Sequence, residues 1–174
     1  MFVLLRFVGL VNAAVWLGSA VFLTFAAGPA VFSPQMAEVL PRYHAGRVAQ
    51  ILLSRYFILQ YVCSGIAVLH LLAEWLYAGR KPGRFDVTLV SVLLGCALLG
   101  GIWLQPKMKQ LHVVKYATNT SLVQKEAATR SFGLWHGVSQ SFNLVLLGGI
   151  LAYFWRKTND ATLPRPLRSP RPLR

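Results

Sequence analysis

The stretch that decides the fold is residues 51–77, which read ILLSRYFILQYVCSGIAVLHLLAEWLY. Its only charged residues are Arg55 and Glu74, one near each end. About 20 predominantly apolar residues are enough for a helix to cross the hydrocarbon core of a bilayer. A backbone surrounded by lipid must satisfy its own hydrogen bonds, which favours a helix over an isolated strand. Residues 51–77 therefore predict a transmembrane helix.

Three more stretches have the same character, at residues 7–32, 87–104 and 132–155. The whole chain is 55% hydrophobic and only 13% charged, whereas a soluble domain carries about 25% charged residues. The pattern predicts an all-α integral membrane protein, a four-helix bundle formed by residues 1–156 as one domain.

Residues 157–174 have a different composition and contain the sequence PRPLR twice, at 164–168 and 170–174. Proline at this density is incompatible with a helix, and the segment has little apolar surface to bury. We predict a disordered basic tail, rich in Pro and Arg, that lies on anionic lipid head groups. A ligand for a proline-recognition domain is the alternative interpretation.

The net charge of +13 has a membrane explanation, because the basic residues lie between and after the apolar stretches. No module that interleaves aromatic and basic residues lies outside these stretches, so we expect no nucleic-acid partner. With four spans, the side that holds both termini has ten Lys and Arg residues against seven on the other side. This bias predicts cytoplasmic termini, and we expect a bacterial cytoplasmic membrane.

Polar residues inside the apolar stretches form a predicted polar seam along one side of the helices. His70 and Glu74 are four residues apart and share a face, as do His136, Gln140 and Asn143. Interhelical hydrogen bonds and functional ionisable groups are the two common reasons for such residues in a membrane. The predicted seam consists of Asn12, Gln60, His70, Glu74, His136, Ser139, Gln140 and Asn143.

The histidines fall on two different sides of the membrane in the predicted topology. His70 lies towards the termini, whereas the other histidines fall on the outer side in this topology. His70 and His136 differ in depth by roughly 20 Å at 1.5 Å per helical residue, so one haem iron cannot bind both. Imidazole and thioether ligands suit copper. The tentative outer metal site consists of His44, Met108, His112 and His136.

Several motifs, in order, resemble the family of eukaryotic transmembrane protein 205 and its bacterial relatives. They are Trp16-Leu17-Gly18, the segment AGPAVF at 27–32, Arg55-Tyr56-Phe57, QPKMKQL at 105–111, and FGLWHGVS at 132–139 closed by Asn143-Leu144. The resemblance covers about residues 7–155. It implies a four-helix membrane domain and little chemistry, because the bacterial members are largely of unknown function. His136, Ser139 and Asn143 match its strongest motif.

The sequence favours a non-catalytic membrane protein with an accessory, transport-related or scaffolding role. It shows no nucleophile with a partnered base and no phosphate-binding glycine loop, so we expect no enzyme. The expected partners are the bilayer and other membrane subunits or further copies of this chain. We expect no cofactor. The alternative function is a membrane protein that binds copper or haem at its outer face.

Overall fold

The computed structural model describes residues 2–79 and 81–162. Within these residues every regular element is helical, which confirms the all-α prediction. The α-helices are α1 (Phe2–Phe22), α2 (Gly28–Val31), α3 (Pro34–Val39), α4 (Arg42–Ala78), α5 (Arg84–Leu98), α6 (Gln105–Tyr116) and α7 (Leu122–Thr162). Two wider π-helical turns, Leu23–Ala27 and Leu99–Leu104, join α1 to α2 and α5 to α6.

Four continuous helical segments are long and apolar enough to cross a membrane. They are Val3–Val31, Arg42–Tyr77, Arg84–Tyr116 and Leu122–Asn159. Each extends beyond the apolar stretch that predicted it, because helix formation continues into polar flanks that water can solvate. The fold is that of an integral membrane four-helix bundle.

Each π-helical turn ends two residues before a proline. Proline has no N–H, and in a regular helix its ring clashes with the carbonyl four residues earlier. The chain widens by one residue instead, so that the N–H of Gly28 bonds to the Leu23 carbonyl and that of Gln105 to the Gly100 carbonyl. The helices thus continue past Pro29 and Pro106.

The connections carry ordinary stop and start signals. Gly79 follows α4 with φ 61°, a left-handed conformation that glycine adopts without steric cost. At the start of α7, Ser121 and Gln124 cap each other through side-chain to backbone hydrogen bonds of 3.2 and 3.3 Å. The turn between α6 and α7 contains Asn119.

The four long helices surround a shared interior, in which α1 and α5 each pack against both α4 and α7. The buried core is built from small residues, aliphatic residues and three large aromatic residues, Trp16, Tyr56 and Tyr153. Large apolar side chains on all four helices point away from this core and are exposed, among them Val15, Val62, Val92 and Val145. Such extensive exposed apolar surface fits a lipid environment.

The predicted boundary of the tail is wrong at its start. α7 continues through residues 157–162, and Lys157 is buried against the bundle. The physical reason is that the first proline of the predicted tail is Pro164, so no proline interrupts the helix at 157. The rest of the predicted disordered tail lies outside the described residues.

Candidate functional site: a polar path through the bundle

The end of the bundle nearest the chain termini holds a buried cluster of ionisable groups. His70 on α4 is 4% exposed and Lys157 on α7 is 9% exposed. Lys157 Nζ lies 3.3 Å from His70 Nδ1 and 3.6 Å from Glu74 Oε2. Glu74 lies one turn after His70, close to the end of α4, and its side chain is partly exposed. We call His70, Glu74 and Lys157 the inner cluster.

The protonation of His70 follows from its partners. His70 Nε2 lies 2.9 Å from the Leu5 carbonyl oxygen, which can only accept, so Nε2 carries the hydrogen. In the neutral ring Nδ1 then accepts a hydrogen bond from the Lys157 ammonium group. The imidazole is thus held between a donor and an acceptor from two other helices.

Gly9 on α1 makes this arrangement sterically possible. A Cβ atom at Gly9 would lie 2.5 Å from His70 Nε2, closer than real Cβ contacts. Because Gly9 is one helical turn after Leu5, its missing side chain leaves the Leu5 carbonyl open to the histidine. A glycine on one helix therefore positions a titratable side chain on another.

A second ion pair lies nearby and closes the same end of the bundle. Arg156 binds Asp86 with two hydrogen bonds, 3.0 Å from Nε and 2.9 Å from Nη2, and also lies over the Phe85 ring. It joins the end of α7 to the start of α5. The pair is partly exposed, so we assign it a structural role.

The middle of the bundle contains buried neutral polar groups. The Trp16 indole N–H donates to Gln60 Oε1, and Asn12 Nδ2 donates to the Cys63 carbonyl over 3.0 Å. Trp16 also packs edge-on against Tyr153, with ring centroids 5.6 Å apart. Lys157 Nζ lies 5.9 Å from the centroid of the Tyr153 ring. This contact connects the polar groups in the middle of the bundle to the inner cluster.

Polar contacts become less buried towards the end of the bundle that lies away from the chain termini. Asn143 on α7 donates to Thr24 Oγ1 over 2.8 Å, within the π-helical turn that follows α1. Thr24 donates in turn to the Ala20 carbonyl. We call the inner cluster and its continuation the polar path, whose members are His70, Glu74, Lys157, Tyr153, Asn12, Trp16, Gln60, Tyr56, Thr24 and Asn143.

The structure brings some residues of the predicted polar seam together and separates others. Asn12, Gln60, His70 and Asn143 lie inside the bundle or at its edge, with Glu74 beside them, and Ser139 is half-buried. The prediction is wrong for His136 and Gln140, which are exposed and bond to each other at 3.2 Å.

The position of His136 has a clear packing cause. At this level α7 contacts its neighbours through other residues, since Phe132 packs against His112 and Trp135 packs edge-on against Trp103. These contacts leave His136 at the surface, where it stacks on Phe132, one turn earlier on α7.

The predicted outer metal ligands occupy separate environments. His44 is exposed and packs edge-on against the Tyr43 ring. His112 is buried and stacks on the same ring, with the centroids of Tyr43 and His112 5.5 Å apart. Met108 is half-buried on α6. His112 Nε2 faces Gly46 so closely that a Cβ there would overlap it, and this nitrogen has no hydrogen-bond partner among the described residues.

Aromatic contacts, not shared ligand geometry, connect these histidines. Phe132 touches the rings of both His112 and His136. Across residues 2–79 and 81–162, no three His, Cys, Asp or Glu side chains form a group that could hold a metal ion. The tentative set of His44, Met108, His112 and His136 therefore gains no support from the fold.

The predicted seam lacks five members of the polar path, which are Trp16, Tyr56, Tyr153, Lys157 and Thr24. The tyrosines resemble ordinary core or interface aromatics, and Lys157 follows an apolar stretch, where a solvated lysine is expected. One signal was present, since Asn143, Tyr153 and Lys157 recur at near-helical spacing with Leu146 and Ile150 on one side of α7.

Comparison with known proteins identifies a family whose function is unknown. Searches of curated proteins and of solved structures found no significant match. A family model described as "Domain of unknown function (DUF4149)" matches residues 11–117. The match covers more than half of the chain, from Val11 in α1 to Ala117 after α6, and includes Trp16, Gln60, His70 and Glu74 of the polar path. The chain therefore belongs to this family of unknown function, DUF4149.

Proposed function

We propose that this chain is a non-catalytic, transport-related membrane protein whose polar path binds protons and passes them through the bundle. The observation that carries the proposal is the inner cluster, in which a buried imidazole and a buried amine meet a partly exposed carboxylate. Glu74 would exchange protons with the surrounding water. Lys157 would share that proton with His70 and lead towards Tyr153.

The energetic argument separates this role from a scaffold. Helices in a membrane associate through packing and through neutral hydrogen bonds, each of which stabilises them by about 0.6–2 kcal/mol. Ionisable side chains are more costly there and commonly mark ion or proton pathways. The contacts of Lys157 would also stabilise a scaffold, but neutral side chains could do so without burying an amine 3.3 Å from an imidazole nitrogen. Proton exchange would account for the contact between Lys157 and His70.

Sidedness belongs to the same proposal. The positive-inside bias places the inner cluster on the cytoplasmic side of a bacterial cytoplasmic membrane, with the basic tail at anionic head groups. A reporter fused after Arg174 should be active only in the cytoplasm. Activity on the outer side would reverse the direction in which Glu74 opens.

Proton flux through reconstituted protein tests the function. Purified protein is placed in liposomes that contain a pH-sensitive dye, and a potassium diffusion potential drives proton entry. We expect acidification faster than in protein-free liposomes. Glu74→Gln and Lys157→Met should each remove most of that difference, because the first removes the solvent-facing proton acceptor and the second the link to His70.

Two matched variants separate loss of a pathway from loss of charge. Glu126→Gln and Lys125→Met make the same chemical changes near the start of α7, outside the polar path, and should leave the flux unchanged. Flux equal to that of empty liposomes would reject the transport role and favour an accessory or scaffolding one. Equal losses in all four variants would reject the assignment to the inner cluster.

We also propose that the family extends to relatives of transmembrane protein 205. The ordered motifs support this, and three of the four regions that carry them lie within the family match, at 16–32, 55–57 and 105–111. The FGLWHGVS motif at 132–139 lies beyond it. Alignment of that motif with members of both groups would support the proposal, and failure to align would reject it.

A further inference from the structure

The centre of the bundle contains polar atoms that the protein itself does not satisfy. Tyr56 Oη, Gln60 Nε2 and Tyr153 Oη are buried and make no hydrogen bond within the described part of the chain. Buried polar groups in proteins are nearly always hydrogen-bonded, to protein or to ordered water. Three exceptions in one core require an explanation.

The orientation of the Gln60 amide is determined by its neighbour. The indole N–H of Trp16 can only donate, so the amide oxygen of Gln60 must face it. The NH₂ group therefore points elsewhere and needs an acceptor. Exchanging the amide oxygen and nitrogen would place two donors against each other, so a flipped side chain does not remove the problem.

The three atoms also lie in one neighbourhood. Tyr56 and Gln60 are one turn apart on α4, and the Tyr56 hydroxyl lies close to the Gln60 side chain but outside hydrogen-bond geometry. Tyr153 packs against Trp16, which holds Gln60. The Tyr153 hydroxyl lies close to the side chain of Asn12, which donates to the Cys63 carbonyl on α4.

We propose that this neighbourhood is a binding site for water in the middle of the bundle, held by Tyr56 Oη, Gln60 Nε2 and Tyr153 Oη. Water both accepts and donates, which suits one amide donor and two hydroxyl groups. An anion would suit the amide but lacks a cationic partner among these three groups, and a cation would face the amide NH₂ group unfavourably. A bound water needs two to four polar partners, and this site supplies three.

The water site deepens the proposed transport role and rests on it for its purpose. It lies between Tyr153, which contacts Lys157 of the inner cluster, and Gln60 in the middle of the polar path. A proton passes along a chain of hydrogen bonds more readily than across an apolar gap. The site thus supplies the step that side chains alone leave open.

Hydroxyl-radical footprinting tests the site without measuring transport. X-ray pulses generate radicals from water in place, so a buried side chain is modified only if water is bound beside it. In the full-length protein in detergent, we expect Tyr56 and Tyr153 to be modified at rates similar to exposed Tyr77 after correction for intrinsic reactivity. Buried Leu93 and Ile150 provide the dry comparison.

Thermal unfolding of Tyr56→Phe and Tyr153→Phe gives a second measurement. If water satisfies the hydroxyl groups, each variant loses hydrogen bonds, and its melting temperature should fall by about 2–4 °C. If the hydroxyl groups are unsatisfied, their removal should leave the melting temperature unchanged or raise it. Tyr77→Phe on the exposed part of α4 is the matched control and should change nothing.

The outcomes separate this inference from the transport role. Absence of modification at both tyrosines, or stabilised Phe variants, would overturn the water site even if proton flux is present. Modification of both tyrosines in a protein without proton flux would support the water site and reject transport. A variant that does not fold leaves the footprint of the wild-type protein as the deciding measurement.

Discussion

The contact between Gly9 and His70 allows a sharp test of how the inner cluster is held. Replacing Gly9 with alanine places a Cβ atom 2.5 Å from His70 Nε2, whereas ordinary contact begins at 3.4 Å. The ring must move by about 0.9 Å, the difference between these distances. His70 is buried and bonded on both sides, so this movement cannot be absorbed by rotation into solvent.

The energetic cost can be worked out from the bonds that the shift disrupts. Losing the hydrogen bond from Nε2 to the Leu5 carbonyl leaves a buried donor unsatisfied, which costs about 1–3 kcal/mol. Alanine in place of glycine within a helix recovers roughly 0.5–1 kcal/mol. With the middle of each range, the expected net destabilisation is about 1 kcal/mol, or a fall in melting temperature of roughly 2–5 °C for a chain of this size.

The assay is thermal unfolding of the purified protein in detergent, followed by tryptophan fluorescence. Gly18→Ala is the matched control, because it makes the same change on the same helix where an added Cβ meets nothing within 4 Å. It should raise the melting temperature slightly or leave it unchanged. If Gly9→Ala is as stable as wild type or Gly18→Ala, the argument that Gly9 positions His70 is refuted.

Three further predictions concern the ion pair, the outer contact and metal binding. Asp86→Asn should destabilise the protein by about 0.2–1 kcal/mol, because the pair with Arg156 is partly exposed, and the loss in thermal unfolding should shrink in high salt. A double-mutant cycle with Thr24→Val and Asn143→Leu should give a coupling energy of about 0.6 kcal/mol, and a value near zero would mean that their 2.8 Å bond contributes nothing. Purified protein incubated with copper or haem should retain neither in stoichiometric amount after gel filtration, as measured by metal analysis and absorbance. If the protein does retain one of them, and His112→Ala or His136→Ala abolishes that retention, the outer metal site would be supported.

The four helices were predictable from the sequence because their cause is local. Each apolar stretch is long enough to require a helix in lipid, and no tertiary contact is needed to decide this. His70 and Glu74 were predictable as functional candidates for the same reason, since their polarity contrasts with every neighbour. The separation of His70 from His136 also follows from helix length alone.

The choice of partners was not predictable, because it depends on how helices face one another. His136 and Gln140 share a face with Asn143 in an ideal helix, yet only Asn143 finds a partner inside, at Thr24. Lys157 reads as the first residue of a basic tail, yet it is buried because α7 continues past it. Neither outcome is encoded in the residue itself.

The sequence by itself determined that this protein consists of four membrane helices with polar residues among them, because bilayer thickness and backbone hydrogen bonding constrain any such chain. Only the tertiary structure decided which polar residues meet. It brought Gly9 against His70, Lys157 between His70 and Glu74, and Trp16 against Gln60. The physical reason is that these contacts join residues far apart in the chain, whose meeting depends on helix rotation and packing and not on local composition.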